Sequence, residues 1–197
     1  MSSTEVSGSR VTEKAAAPLL APPRNGGSAV GDLILRFLLF ASCVVAVLVM
    51  VTGNQSQLIP ITFPPFLVSR DAKFNHSPAF IYFVAAFSVV GIYAAITAIL
   101  SFFALLKPGF YIKAVSHFVI FDVLLLGIVA SATGAAGAVG YVGLKGNSNV
   151  QWRKICDLYD GFCKHIGASL AVSLFGSVVL TLLIIISVRA LSKRIPK

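Results

Sequence analysis

The stretch at 118–127 reads F-V-I-F-D-V-L-L-L-G and places Asp122 well inside a long apolar run. A second stretch, L-I-L-R-F-L-L-F at 33–40, holds Arg36 in the same kind of setting. A charge inside hydrocarbon costs at least ~2.5–3.5 kcal/mol on insertion scales, so such residues usually face protein or water and find a partner. The two opposite charges therefore predict an ion pair between membrane-spanning helices.

The composition indicates the class of protein. Hydrophobic residues make up 57% of the 197 residues, and the mean hydropathy is +0.89, which is more apolar surface than one soluble core buries. A bilayer requires ~20 apolar residues per helix, and four stretches qualify: about 33–52, 79–106, 115–143 and 166–188. We therefore predict an all-α integral membrane protein, a four-helix bundle forming one membrane domain. Residues 1–32 are predicted to be a disordered N-tail, and residues 189–197 a basic C-tail.

The positions of the basic residues predict the orientation. Nine Lys and Arg side chains fall in the two tails and the central turn, against six in the other two connecting segments. Positive residues favour the cytoplasmic side, so both termini are expected in the cytosol. The net charge of +9 is spread over loops and tails. This distribution favours contact with anionic membrane lipid rather than a nucleic-acid partner.

Arg36 has two candidate partners. If both termini are cytosolic, helices one and three run in the same direction, and a bond from Arg36 to Asp122 is geometrically reasonable. Asp32, four residues before Arg36, is a local competitor, and the arginine can also reach the headgroups. The Asp122 side chain is too short to reach the headgroups in the same way. A structural role for the pair is favoured over a proton relay or ion pathway, although intramembrane acids often carry those roles.

Two cysteines lie in the second outer segment, W-R-K-I-C-D-L-Y-D-G-F-C at 152–163. An extracellular face is oxidising, so Cys156 and Cys163 are predicted to close a small disulfide loop. The alternatives are two free thiols, or a metal site with His165, although no second cysteine pair exists to complete a zinc site. The aromatic residues of this region predict either an interfacial anchor or a compact loop core: Trp152, Tyr159 and Phe162.

The third helix is rich in small residues, with S-A-T-G-A-A-G-A-V-G-Y-V-G at 131–143. Small side chains let helix backbones approach closely in lipid. Gly127, Ser131 and Gly134 are therefore predicted to be helix-packing positions. The close approach is either within the bundle or between subunits, and packing within the bundle is the simpler interpretation.

Arg36, Asp122 and the cysteine-containing outer loop together resemble the Casparian strip membrane domain proteins and their CASP-like relatives in plants, which are related to the four-helix MARVEL proteins. The segments K-F-N-H-S-P-A-F-I-Y-F-V at 73–84 and G-Y-V-G-L-K-G-N-S at 140–148 look like the CASP-like branch. The first outer loop reads I-P-I-T-F-P-P-F-L-V-S-R-D, where true Casparian strip members have E-T-L-P-F-F-T-Q-F-L-Q-F. The resemblance therefore does not extend to a role in the endodermal strip itself.

The resemblance implies that Arg36 and Asp122 are the family's intramembrane pair. It also implies an outer-loop signature, which comprises Trp152, Ile155, Cys156, Phe162 and Cys163. The implied function is that of a plasma-membrane scaffold, without cofactor or metal, that organises local cell-wall deposition. Its implied partners are itself and related CASP-like proteins, as homo- and heterodimers or higher oligomers, together with secreted wall-modifying enzymes.

Three classes of function are compared. A non-enzymatic scaffold is favoured because the helices contain few polar residues. A small channel or transporter using Arg36 and Asp122 is the alternative, but it would need a more polar lining and broken helices. An intramembrane enzyme would need paired carboxylates, a nucleophile–base cluster or a set of metal ligands, and the helical stretches offer none of these.

Overall fold

The computed structural model describes residues 26–62, 65–106 and 112–192. Most of them form four helices: α1 (Gly26–Thr52), α2 (Pro78–Leu106), α3 (Ile112–Lys145) and α4 (Asp160–Ser192). Each helix contains a stretch that is long and apolar enough to cross a membrane: Val30–Thr52, Pro78–Phe103, Phe118–Lys145 and Asp160–Ser192. The predicted four-helix membrane protein is confirmed.

The helices pack as a ring around a shared interior. α1 contacts α2 and α4, and α3 contacts the same two helices, so α1 and α3 face each other across the centre of the bundle. Small residues lie at the helix contacts, and Ala46, Ala94 and Ala136 are fully buried. Phe83 and Phe87 stack with ring centroids 4.4 Å apart. Many large apolar side chains point outward instead, which suits a surface in contact with equally apolar lipid tails.

The N-terminal boundary predicted for the first helix requires correction. α1 begins at Gly26, so residues 26–32 are helical rather than part of a disordered tail. Asp32 lies within α1, is 2% exposed and belongs to the interior. Hydropathy locates the edge of the hydrocarbon, whereas a helix continues past that edge as long as its polar groups find partners. Residues 1–25 of the predicted tail lie outside the described residues.

The fourth helix is also longer than its apolar stretch. It begins at Asp160 instead of 166, and an exposed ion pair joins Asp160 and Lys164, one turn apart, at 2.6 Å. Its C-terminal end at Ser192 includes residues 189–192 of the predicted C-tail. The remaining tail residues, 193–197, lie outside the described part of the chain.

A β-hairpin between α1 and α2 was not predicted from the sequence. Strand β1 (Gln55–Thr62) pairs antiparallel with β2 (Pro65–Ala72), with Gln55 opposite Ala72 at its base. Both runs contain β-branched and aromatic residues, which favour strands. The prolines argue against strands in a central position, but they are compatible with a sheet of two strands, in which each strand is an edge.

Candidate functional site

The intramembrane charges meet in the centre of the bundle. The Arg36 Nε on α1 donates a hydrogen bond to Asp32 Oδ2 at 3.2 Å, and its Nη2 lies 3.7 Å from Asp122 Oδ2 on α3. None of the three side chains is more than 3% exposed. A guanidinium presents five N–H donors in a planar fork, so it can engage two carboxylates together. Both partners that the sequence left open are therefore used.

Helix α2 contributes hydroxyl groups to the same cluster. Tyr93 Oη donates to Asp122 Oδ1 at 2.8 Å, and Ser101 Oγ donates to Asp32 Oδ2 at 3.2 Å. The guanidinium carbon of Arg36 lies 5.6 Å from the centre of the Phe118 ring, within the range of a cation–π interaction. These contacts join α1, α2 and α3. We refer to Asp32, Arg36, Tyr93, Ser101 and Asp122 as the central network.

The sequence analysis missed Tyr93 and Ser101 because neither residue carries a formal charge. A signal was nevertheless present, since Tyr93, Thr97 and Ser101 recur every four residues in a predominantly apolar helix. That spacing puts three hydroxyl groups on one face. Thr97 is 1% exposed and donates to the carbonyl oxygen of Tyr93 at 2.9 Å. A row of hydroxyl groups in an apolar helix indicates a polar partner elsewhere in the bundle.

The central network contains two acids and one base. A carboxylate buried in a medium of low dielectric constant is strongly unfavourable unless it is paired and hydrogen-bonded. Asp122 Oδ2 has no hydrogen-bond donor among the described residues and relies on the charge of Arg36. This arrangement can hold three helices together. Among the described residues, no group of three His, Cys, Asp or Glu side chains is suited to hold a metal ion.

A second cluster closes the end of the bundle that carries the β-hairpin. Cys156 and Cys163 form a disulfide, which ties the outer loop to the first turns of α4. Phe162 packs edge-on against Phe80 of α2 with ring centroids 6.2 Å apart. Its backbone N–H donates to the side-chain oxygen of Gln55, at the base of the hairpin, at 3.0 Å. The cluster thus connects the hairpin, the outer loop and two helices.

The residues of the outer-loop signature separate into two groups. Phe162 and Cys163 belong to α4 rather than to a loop, and Phe162 is buried together with Tyr159 and Cys156. Trp152 and Ile155 are instead exposed, at 59% and 51%. A compact core therefore forms around Tyr159 and Phe162, and Trp152 lies outside it.

Two of the predicted packing residues make no close contact within the bundle. A Cβ atom added at Gly127 or Gly134 would meet nothing within 4 Å, so neither glycine lies at a close helix contact within the bundle. The inward positions on α3 are occupied by Ala132 and Ala136, both fully buried. Small residues occur on several faces of this helix, and their spacing alone did not reveal which face turns inward.

Hydroxyl pairs add links between the helices. Ser131, the third predicted packing position, lies on α3 with its Oγ 2.8 Å from the Oη of Tyr82 on α2. Thr133 Oγ1 donates to Ser173 Oγ on α4 at 3.2 Å. Bonds of this kind between transmembrane helices contribute roughly 0.6 kcal/mol on average. Ser131 therefore joins helices through its hydroxyl group as well as through its small size.

Comparison with known proteins shows the family of the chain. Residues 25–179 match the family described as the Casparian strip membrane protein domain. The chain is 61% identical to CASP-like protein 1 of Panax ginseng over 148 residues, 75% of this chain and 100% of that protein. It is 58% identical to CASP-like protein IN26 of Ipomoea nil over 172 residues, 85% of this chain and 88% of that protein.

The similarity extends over the whole chain for another relative. CASP-like protein 1D1 of Populus trichocarpa is 49% identical over 197 residues, 100% of both chains. No solved structure matches the chain. The matched span of 25–179 includes the central network and the disulfide-closed outer cluster. The chain therefore belongs to the CASP-like family of plant membrane proteins.

Proposed function

We propose that this protein is a non-catalytic plasma-membrane scaffold that self-associates into membrane domains, alone or with related CASP-like proteins. In this proposal it organises local cell-wall deposition or forms junctions between membrane and wall, with secreted wall-modifying enzymes as partners. Family membership supports the proposal, because the family description refers to a membrane protein of the Casparian strip. The relatives are named as CASP-like proteins and not as enzymes.

The observation that carries this proposal is the enclosure of the charged groups. Asp122 is 0% exposed and Arg36 is 2% exposed, and they contact each other, Asp32 and the hydroxyl groups of α2. An ion or proton pathway needs polar groups that open to water. Charged groups that bind each other instead fix the helices in one arrangement, which suits a unit of a larger assembly.

The outward face of α3 supports self-association. Gly127 and Gly134 face open space, and a groove of about 430 Å³ between α3 and α4 includes Gly134 and Gly137 in its lining. Small residues on a lipid-facing surface allow the backbone of another helix to approach closely. This face is therefore the surface on which we expect a second copy to pack.

One observation favours the alternative, a small channel or transporter. The central network has one more carboxylate than it has cationic groups, and acids inside membrane helices often belong to ion or proton pathways. Purified protein reconstituted into vesicles would then show flux driven by voltage or by a pH gradient. The scaffold proposal expects no such flux above that of protein-free vesicles.

The scaffold proposal predicts slow lateral diffusion. A fluorescent tag on the N-terminus in plant cells should reveal membrane patches whose fluorescence recovers slowly after photobleaching, because units held by their neighbours cannot exchange freely. The control is a tagged four-helix membrane protein of similar size from another family. A uniform distribution that recovers as fast as this control would contradict self-association into domains.

We also infer that both termini are cytosolic, so that the disulfide-closed cluster faces outward. A membrane-impermeant maleimide should label intact cells only after mild reduction has opened the Cys156–Cys163 bridge. Cys43, which is 1% exposed inside α1, should not react under either condition. Labelling without reductant would contradict the disulfide. Labelling of reduced cells only after permeabilisation would reverse the orientation. The control variant replaces both Cys156 and Cys163 with serine.

A further inference from the structure

An exposed tryptophan is held in a fixed position at the outer end of α3. Asn147 and Trp152 exchange two backbone hydrogen bonds of 2.9 Å across a short turn. Gly146, the first residue after α3, has a φ of +68°, and an added Cβ there would lie 2.7 Å from the carbonyl oxygen of Trp152. Such a φ favours glycine, so Gly146 allows the turn to close. The indole is 59% exposed above this constrained backbone.

Three cationic residues flank the turn that carries Trp152. Lys145, Arg153 and Lys154 are exposed and form no ion pair within the described residues. Lys154 lies against the turn, because a Cβ atom added at Gly146 would be 3.2 Å from the Lys154 Cγ. Gly146 is the neighbour of Lys145 in the sequence. From residue 145 to residue 159 the sequence contains one acid, Asp157.

Other lysines on the same side of the protein are differently placed. Lys73 lies 3.2 Å from Asp71, and Lys164 lies 2.6 Å from Asp160. The Ser56 hydroxyl and the nearby Lys73 ammonium hold the pKa of the Asp71 carboxyl below its usual range. Among the lysines and arginines whose side chains the structure describes on this side, the ones without a counter-charge are therefore Lys145, Arg153 and Lys154, and the paired lysines provide matched controls.

The height of this surface above the membrane follows from helix contacts. The apolar run of α1 ends at Thr52, and the next residue, Gly53, lies against His165. The next residue of α4, Ile166, lies against Gly140 of α3. The level at which the apolar run of α1 ends is therefore close to the level of Gly140, and we take this level as the hydrocarbon edge. Lys145 is five residues beyond, or about 7.5 Å at 1.5 Å per residue. The headgroup layer is roughly 5–7 Å thick, so Lys145, at the end of α3, lies near its water-facing limit.

We propose that Trp152, Lys145, Arg153 and Lys154 form a binding surface for an acidic polysaccharide. The apolar face of a sugar ring would stack on the indole, and ring carboxylates would pair with the guanidinium and the two ammonium groups. Charge complementarity selects an anionic polymer, and the flat exposed aromatic face selects one built of rings. The inference rests on the proposed outward orientation and gives the scaffold a direct contact with material outside the cell.

The test uses the full-length protein in nanodiscs of uncharged phosphatidylcholine. The probe is polygalacturonate; neutral galactan presents rings without carboxylates, polyglutamate presents carboxylates without rings, and anionic vesicles present a lipid surface. Polygalacturonate should bind best, and its affinity should fall as salt rises from roughly 0.05 to 0.5 M. Trp152→Ala should weaken this binding about tenfold, as expected for an aromatic anchor, and Arg153→Gln with Lys154→Gln should weaken it as well.

Lys164→Gln is the matched control, because Lys164 is already paired with Asp160, and it should change the affinity by less than about twofold. The proposal is overturned if the unchanged protein does not bind polygalacturonate, if polyglutamate or anionic vesicles bind equally well, or if Trp152→Ala has no effect. An intact Cys156–Cys163 bridge, measured by thiol titration, shows that a variant is folded.

Failure of this inference can be told apart from failure of the scaffold proposal. Patch formation is measured by photobleaching in cells, whereas polymer binding is measured on purified protein. Binding without patches would leave the polysaccharide surface standing and contradict the scaffold. Normal patches formed by a protein that does not bind polygalacturonate would contradict the polysaccharide surface and leave the scaffold proposal standing.

Discussion

Arg36→Ala is expected to cause the largest loss of folded protein of any single substitution in the membrane domain. The change leaves Asp32 and Asp122 buried with no base between them, and it removes the link between α1 and α3. Removing one partner of a buried ion pair costs roughly 3–5 kcal/mol in soluble proteins. The measurements are surface abundance in cells and thermal unfolding of the purified protein in detergent.

Asp122→Asn should partly rescue Arg36→Ala, because it removes one of the stranded acids. The coupling free energy from this double-mutant cycle should lie between about 0.6 and 1.7 kcal/mol, the average and maximum measured for contacts inside membranes. Lys164→Ala is the control for loss of an exposed ion pair and should cost less than about 1 kcal/mol. Strict additivity of Arg36→Ala and Asp122→Asn would show that the 3.7 Å contact contributes nothing to stability.

Asp32 and Asp122, the two acids that Arg36 contacts, are expected to contribute unequally to stability. Asp32→Asn brings the network to one acid and one base, and the amide can still accept hydrogen bonds from Arg36 and Ser101. It should therefore cost less stability than Asp122→Asn, which removes the charge on the opposite side of the bundle. We expect the same thermal unfolding measurement to rank the two variants in this order.

The sequence was sufficient to predict the four membrane helices and an ion pair between Arg36 and one of two acids, Asp32 or Asp122. Both follow from the high cost of placing polar groups in hydrocarbon, which leaves few arrangements open. Interior hydroxyl groups such as Tyr93 and Ser101 are less expensive, because a helix can satisfy a hydroxyl through its own carbonyls. Their role depends on which face of α2 turns inward, and only the packed bundle determines that.

The hairpin and the outer cluster were harder to predict for a different reason. Outside the hydrocarbon, water can form hydrogen bonds with the backbone groups. The structure of a proline-containing segment such as 55–72 is therefore less restricted by its sequence than that of a membrane helix. Trp152 and Phe162 are both aromatic residues of one short loop signature, yet one is exposed and the other buried. The difference arises because α4 begins at Asp160 and carries Phe162 into contact with Phe80, which no local pattern reveals.

Ala136→Leu should destabilise the bundle strongly, whereas Gly134→Leu should not. Ala136 is fully buried on α3, and extra methylene groups in a packed interior cost typically 1–3 kcal/mol. A side chain at Gly134 would enter open space, and leaving glycine also removes a penalty of about 1 kcal/mol within a helix. Thermal unfolding of the two purified variants in detergent measures the difference, with Ala138→Leu on the exposed side of α3 as a further control.

The same two variants separate the fold from the assembly. If a second copy packs on the outward face of α3, Gly134→Leu should leave the monomer stable but speed recovery after photobleaching, because the larger side chain keeps the neighbouring backbone away. Ala136→Leu should instead lower the amount of protein at the surface. A Gly134→Leu variant that unfolds as readily as Ala136→Leu would mean that the open space beside Gly134 is occupied in the native bundle.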